Sequence, residues 1–217
     1  DACRKICILA SLAYGTHVYP DSVHTEGITA ITKEDVGYAG AWGGVIKLIG
    51  EVKKLENGRI HIQVAPMFIS RESQLANVDD VFNGILVRGD VVFYGKGAGK
   101  LPTASAVVAD VIDWVRHLKS DRKILFWEDA KPDYVQPWED TPQDLFLRVA
   151  GEGDSDSLFD KAQQVFPSAV RLIRKDEKPG EAGFTVGQLS QRQLEERLPA
   201  LRALGVELEN RITIADF

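Results

Sequence analysis

The sequence predicts an α+β protein: a mixed, largely antiparallel sheet covered by helices, followed by a smaller βαββαβ domain on the ferredoxin-like plan. Three observations predict it. Residues 45–94 hold four apolar or alternating runs separated by turn signals, among them the hairpin dipeptide Asn57-Gly58. A helical pattern precedes those runs, and a glycine turn leading into another helix follows them. From Leu145 onward the order is strand, helix, strand, strand, helix, strand. The resulting division is 1–122, a linker at 123–142, and 143–217.

Composition narrows the class. The chain has 217 residues, 44% apolar and 27% charged, with a net charge of −6. That is an ordinary balance for one large or two smaller domains, and the basic residues do not cluster, so nucleic acid is not an expected partner. No apolar run reaches the roughly 20 residues of a membrane span, so no membrane partner is expected either. Cys3 and Cys7 are the only cysteines. Four apart on a helix they share a face, but that geometry disfavours a disulfide, and buried free thiols in a reducing cytoplasm are expected. The chain opens inside a helical pattern with no cap and no initiating Met, and is read as beginning within a longer protein.

The elements follow in order. Residues 1–14 read as a helix in which Ile6, Leu9 and Ala13 share a stripe with Ala2, and Gly15 ends it. Asp1 and Lys5 stand i,i+4 on one face. Alone, they read either as a surface ion pair worth a few tenths of a kcal/mol or as a carboxylate and an ammonium presented together. Residues 16–26 read as a loop, and its His17 and His24, seven apart with no nearby Cys, do not make a metal site. Thr32 caps a helix over 33–42 that Gly43-Gly44 stops. Strands are expected at 45–54 and 59–65, an irregular connector with one helical turn at 66–77, and strands at 81–88 and 91–94 joined by Gly89-Asp90.

The stretch 95–113 (GKGAGKLPTASAVVADVID) carries most information. Gly95, Gly97 and Gly99 remove side chains between backbone and any ligand, and Pro102 suits the first turn of a helix running to about Leu118. Free N–H groups there could meet a carboxylate, phosphate or carboxamide. The pattern is equally a bare strand-to-helix turn. As half of a dinucleotide fingerprint it lacks the βαβ context and the later acidic residue.

A short strand is expected at 123–127 within a Pro-rich stretch. Strands at 145–150, 169–174, 184–186 and 206–214 alternate with helices at 157–166 and 191–204. Ser190 caps the second helix, and Leu194, Leu198, Leu201 and Leu204 form its stripe.

Three stretches carry a family resemblance: DACRKICILASLAYG (1–15), EGITAITKEDVGYAGAWGGVIKLIG (26–50) and VFNGILVRGDVVFYGKGAGKLPTASAVVADVID (81–113). Together they resemble homoserine dehydrogenase, and the chain looks like its carboxyl-terminal portion without the amino-terminal Rossmann domain. Residues 143–217 resemble an ACT module. The resemblance implies hydride transfer between NADP or NAD and aspartate semialdehyde to give homoserine. The family's D-x-x-x-K helix matches Asp1 and Lys5, implying Lys5 as the proton donor and Asp1 as a substrate-holding group. Gly97, Ala98, Gly99 and Thr103 match the segment that meets the nicotinamide. No metal is implied. A homodimer through the 45–94 sheet and threonine at the ACT-like domain are further expectations. So is a chain that is inactive by itself, with no cofactor bound. The alternative is an amino-acid-binding and dimerisation module without catalysis.

Overall fold

The computed structural model describes residues 1–87, 91–118, 127–215 and 217. In chain order the elements are α1 (Ala2–Tyr14), β1 (His24–Thr25), α2 (Lys33–Trp42), β2 (Gly44–Lys54), β3 (Ile60–Ser70), β4 (Phe82–Val87), β5 (Val91–Lys96) and α3 (Lys100–His117). They continue with β6 (Gln143–Gly151), α4 (Ser155–Val165), β7 (Val170–Leu172), β8 (Glu181–Leu189), α5 (Gln191–Ala203) and β9 (Val206–Ile214). Two compact units emerge: Asp1–Ser70 with Trp127–Asp216, and Arg71–Phe126 with Phe217.

The first unit is built on a mixed, largely antiparallel sheet that, among the described residues, has seven strands. β2 and β3 pair along their whole length, from Gly44↔Ser70 to Lys54↔Ile60, around the Asn57-Gly58 turn, where Gly58 takes φ +81°. β3 then pairs in parallel with β1 at Gln63 and Val64, and with β9 at Met67 and Phe68. β9, β6, β8 and β7 follow in that order across the sheet, all antiparallel. The βαββαβ segment therefore does not stand apart as a separate domain. Its last strand hydrogen-bonds to β3, and one sheet runs through both halves of the sequence.

β3 is longer than its sequence suggests. Pro66 reads as the end of a strand, yet the strand continues to Ser70. The amide of Glu26 donates to the carbonyl of Val64 (2.7 Å) and that of Ala215 to Phe68 (2.9 Å), so even-numbered positions of β3 address β1 and β9. Pro66 falls between the residues paired to β1 and those paired to β9, where no ladder bond needs its missing N–H. β1 itself, two residues of parallel strand, lies where a loop was expected.

Helices cover both faces. α1 sets Ile6, Cys7 and Ala10 on Ile60, Ile62 and Val64. α2 sets Tyr38 and Ala39 on Phe68, Phe146 and Ile212. On the opposite face α4 and α5 bury Leu158, Leu194 and Leu201 against Leu145, Leu147, Val149 and Phe184. Burying each such side chain contributes about 1.5–3 kcal/mol. The stripe on α1 is rotated from the expected one: Leu9 is 37% exposed, and Cys7 takes a core position. A free cysteine packs as a small hydrophobe, so counting Cys3 and Cys7 as apolar turns the predicted face towards them.

A polar joint fastens α2 to the sheet. Thr32 and Asp35 form a reciprocal capping box. Asp35, fully buried, also accepts from Arg148 Nε and Asn210 Nδ2, both at 2.8 Å. Tyr38 lies flat on Gly183, and its phenol bonds Glu177 (2.8 Å) and Glu181 (3.1 Å). Those carboxylates pair with Arg171 and Arg174. Burial, then the two carboxylates, push the Tyr38 hydroxyl well above its ordinary value, so it stays a donor. A Cβ at Gly183 would stand 2.4 Å from the Tyr38 ring. Gly183→Ala is therefore expected to destabilise the protein by about 1–3 kcal/mol through overpacking, read as a lowered urea midpoint.

The second unit contains the β4–β5 hairpin and α3. Among the described residues β4 and β5 pair from Phe82↔Lys96 to Val87↔Val91 and form their own two-stranded sheet rather than completing that of β2 and β3. α3 buries none of its side chains; Leu101 is 83% and Trp114 64% exposed. The expected Gly89-Asp90 turn, the Arg88 end of its strand, and all of the 123–127 strand but Trp127 lie outside the described residues. Among the described residues no helix is long and apolar enough to cross a membrane.

Candidate active site

α1 positions the first candidate pair. Its core-facing residues fix the rotation of the helix, and Gly15 ends it in the left-handed conformation at φ +69°. Asp1 and Lys5 then fall on the outward face of the first turn, Nζ to Oδ2 2.6 Å, with side chains 82% and 64% exposed. Nothing in the packing of the core requires either one.

The neighbouring cysteines are free, Cys7 buried and Cys3 half-buried. Burial, reinforced by Cys3, pushes the Cys7 thiol from 9.0 up to about 11. The native state therefore holds the proton that the unfolded chain releases above pH 9. That contribution to stability is complete below pH 9 and is lost as pH rises towards 11. Labelling with a disulfide reagent at pH 8 is expected to modify Cys7 only after denaturant is added.

The loop after β5 carries the second candidate set. Gly97 N–H donates to the Val81 carbonyl at 3.0 Å, and a Cβ there would collide with the Asn83 carboxamide at 1.7 Å. Gly99 takes φ +121° and caps α3 without any side-chain hydrogen bond. Ala98, Gly99 and Thr103 are exposed. Pro102 occupies the first turn, and the leading amides of α3 carry no side-chain cap. A side-chain-free loop opening onto uncapped helix amides fits a carboxamide or phosphate group. Asp1 and Lys5 belong to the first compact unit and this loop to the second.

A third polar cluster escaped the sequence reading. His24 stacks on Trp138 with ring centroids 3.5 Å apart, and its Nε2 lies 2.6 Å from Glu26, which also pairs with Arg211. Burial alone would raise the Glu26 carboxyl; the His24 hydrogen bond and the Arg211 charge outweigh it and hold the group below the usual range. Trp138 Nε1 donates to Gln63 Oε1 at 3.0 Å, and Gln143 links Gln63 to Thr213. Apart from His24 and Glu26, the partners are 70 or more positions apart, and no local pattern announces them. Among the described residues no three metal-ligating side chains converge.

Comparison with known proteins places these features. Residues 1–112 match the family model described as homoserine dehydrogenase. The homoserine dehydrogenase of Pseudomonas aeruginosa is 40% identical over 159 residues, covering 69% of this chain and 36% of the relative. That of Neisseria gonorrhoeae is 34% identical over 220 residues, 94% of this chain and 50% of the relative. The crystal structure of a homoserine dehydrogenase from Thiobacillus denitrificans superposes with a TM-score of 0.83 at 30% identity, covering 100% of this chain and 53% of that one. A Staphylococcus aureus homoserine dehydrogenase structure gives 0.73 at 27%. The chain spans about a third to a half of the length of these curated relatives.

One expectation is overturned by these matches. The chain is not a carboxyl-terminal portion consisting of a dimerisation region and an ACT-like regulatory domain without the cofactor-binding part. The family match covers residues 1–112 and, with the coverage of the relatives, places the chain over the region that the homoserine dehydrogenase family model describes. With more than half of its length matching the family model, and with relatives up to 94% of its length, the chain belongs to the homoserine dehydrogenase family.

Proposed function

We propose that this chain contributes the proton-transfer and substrate-holding groups of an NAD(P)-dependent oxidoreductase that interconverts aspartate semialdehyde and homoserine. The single observation that carries the reading is the Asp1–Lys5 pair, held together on the outward face of the first turn of α1 within the family-matching region. The cofactor supplies the hydride that reaches the aldehyde carbon. Lys5 delivers its Nζ proton to the carbonyl oxygen as negative charge develops there, and takes it back in the reverse direction. Asp1 orients Lys5 through their ion pair, and accepts from the amino or hydroxyl end of the substrate. Gly97, Ala98, Gly99 and Thr103 hold the nicotinamide end, with the uncapped amides of α3 as donors. The test is oxidation of NADPH and NADH followed at 340 nm with aspartate semialdehyde as substrate. No turnover above the buffer rate with either cofactor in the intact protein that contains this chain would overturn the reading.

Residues 1–122 in this scheme are the catalytic and dimerisation segment, 123–142 the linker and 143–217 a ferredoxin-like segment. Support for the last is the order β9-β6-β8-β7, fourth, first, third, second, with α4 and α5 in the crossovers. A free amino acid such as threonine is its candidate ligand, and calorimetric titration decides. A homodimer through residues 45–94 is supported by β2, whose strand partner among the described residues is β3 alone, and by the exposure of every residue of β5. The two free thiols suit a cytoplasmic location.

A further inference from the structure

Beyond the carboxyl end of α1 lies a cleft of about 450 Å³, within the range of small-molecule sites. Its lining includes His17, Tyr19, Ser22, Lys131, Tyr134 and Gln136. The chain that forms one wall is fastened at both ends. On one side Glu128 N–H donates to Gly15 (2.9 Å) and His17 N–H to Glu128 (2.7 Å). On the other, Ile60 N–H donates to Tyr134 (3.0 Å) and Gln136 N–H to Ile60 (2.8 Å). Residues 129–133 thus arch between two fixed bridges, and a turn bond from Tyr134 N–H to Lys131 (3.0 Å) closes the arch. The cleft therefore has a shape set by backbone bonding.

Three features select its occupant. Tyr19 is 52% exposed, and His17 leans on it with ring centroids 4.1 Å apart and the planes tilted by 53°, an aromatic wall open to solvent. Gln136 Oε1 is buried and has no hydrogen-bond partner. A buried acceptor without a partner is unfavourable until a donor reaches it. Lys131, exposed at the rim, provides one cation, enough for a carboxylate and too little for a polyphosphate.

We propose that this cleft binds a small zwitterion of the aromatic α-amino acid class. The ring lies against Tyr19 and His17, the carboxylate pairs with Lys131, and the ammonium donates to Gln136 Oε1 once the buried side-chain amide turns into the cleft. The site is distinct from the Asp1–Lys5 pair, which stands at the opposite end of the 13-residue α1, about 20 Å away by helical rise. It requires neither a cofactor nor turnover.

The test uses saturation-transfer NMR on the intact protein with L-phenylalanine as the probe. Saturable transfer, strongest on the ring protons, is expected, with Tyr19→Ala and Gln136→Leu each weakening the fitted Kd by about tenfold. Phenylacetate, which lacks the ammonium, is expected to bind more weakly and to ignore Gln136→Leu. Tyr19 is a surface residue, so its replacement leaves the fold intact, as an unchanged circular dichroism spectrum verifies, and it decides the matter if Gln136→Leu misfolds. Absence of saturable transfer, or equal affinity in the folded variants, overturns the proposal whether or not the dehydrogenase assay succeeds.

Discussion

Replacing Lys5 with Ala is expected to lower kcat for aspartate semialdehyde reduction by about 10²–10⁴, the usual contribution of a positioned proton donor. Substrate affinity should change far less, because in this scheme Lys5 acts mainly where charge develops on the oxygen. The structure makes this test unusually clean. The Lys5 side chain is 64% exposed, outside the stripe that packs α1 on β3, and its ion pair with Asp1 is a surface i,i+4 contact. Such a contact contributes about 0.3–0.5 kcal/mol to stability. Lys5→Ala should therefore unfold at essentially the wild-type denaturant concentration while losing nearly all turnover. Asp1→Asn should retain more activity, since Asp1 orients and holds rather than delivers the proton. Wild-type kcat in folded Lys5→Ala would remove Lys5 from the chemistry and leave the pair as a surface ion pair.

How much of this was legible in the sequence depends on the range over which each feature is determined. α2 is locally determined: a Thr cap, acidic first-turn residues and a Gly stop produce Lys33–Trp42, the range expected from them. The α5 stripe of leucines is equally local. Pro66 misled because its cost depends on whether a neighbouring strand needs its N–H, and the strand that pairs just beyond it, β9, comes some 140 positions later; parallel pairing leaves no short-range signature. The sheet itself was misdivided for the same reason. β4 and β5 look like continuations of β2 and β3 in sequence, yet pair only with each other among the described residues, while β9 joins β3. At the candidate site, Asp1, Lys5 and the glycine loop were legible as spacing and composition. Their roles came only with the family resemblance, and the polar joint of Asp35, Arg148, Tyr38 and Glu181 came only with the structure. Asp35 reads from sequence as a first-turn helix residue, which it is; that it also meets an arginine 113 positions away cannot be read from its neighbours.

Asp35→Ala is expected to cost about 3–5 kcal/mol, the typical penalty for removing one partner of a buried ion pair. Against a total stability of roughly 5–15 kcal/mol this is enough to leave the protein marginal. The size follows from the accounting of donors. Oδ1 accepts from Arg148 Nε at 2.8 Å; Oδ2 accepts from Thr32 N–H (2.9 Å), Thr32 Oγ1 (3.0 Å) and Asn210 Nδ2 (2.8 Å). All of this occurs at a residue with no solvent exposure, so water cannot replace the lost acceptor. Arg148, its side chain 10% exposed, would keep two longer contacts among the described residues, to Glu181 and to Thr32 Oγ1, both at 3.5 Å. The paired replacement Asp35→Leu with Arg148→Met should be less damaging than Asp35→Ala alone, because it removes the stranded charge together with its partner. Glu181 tolerates that change, since Arg174 remains 2.9 Å from it. Urea unfolding of the three proteins tests the argument: the double variant should unfold at a higher midpoint than the single one. The opposite order would mean that Arg148 is not stranded by the loss of Asp35, its contacts to Glu181 and Thr32 sufficing to hold the charge. If the expected order holds, α2 is kept on the sheet by a contact that must form whole or not at all, which ties the family-matching region to the strands that follow it.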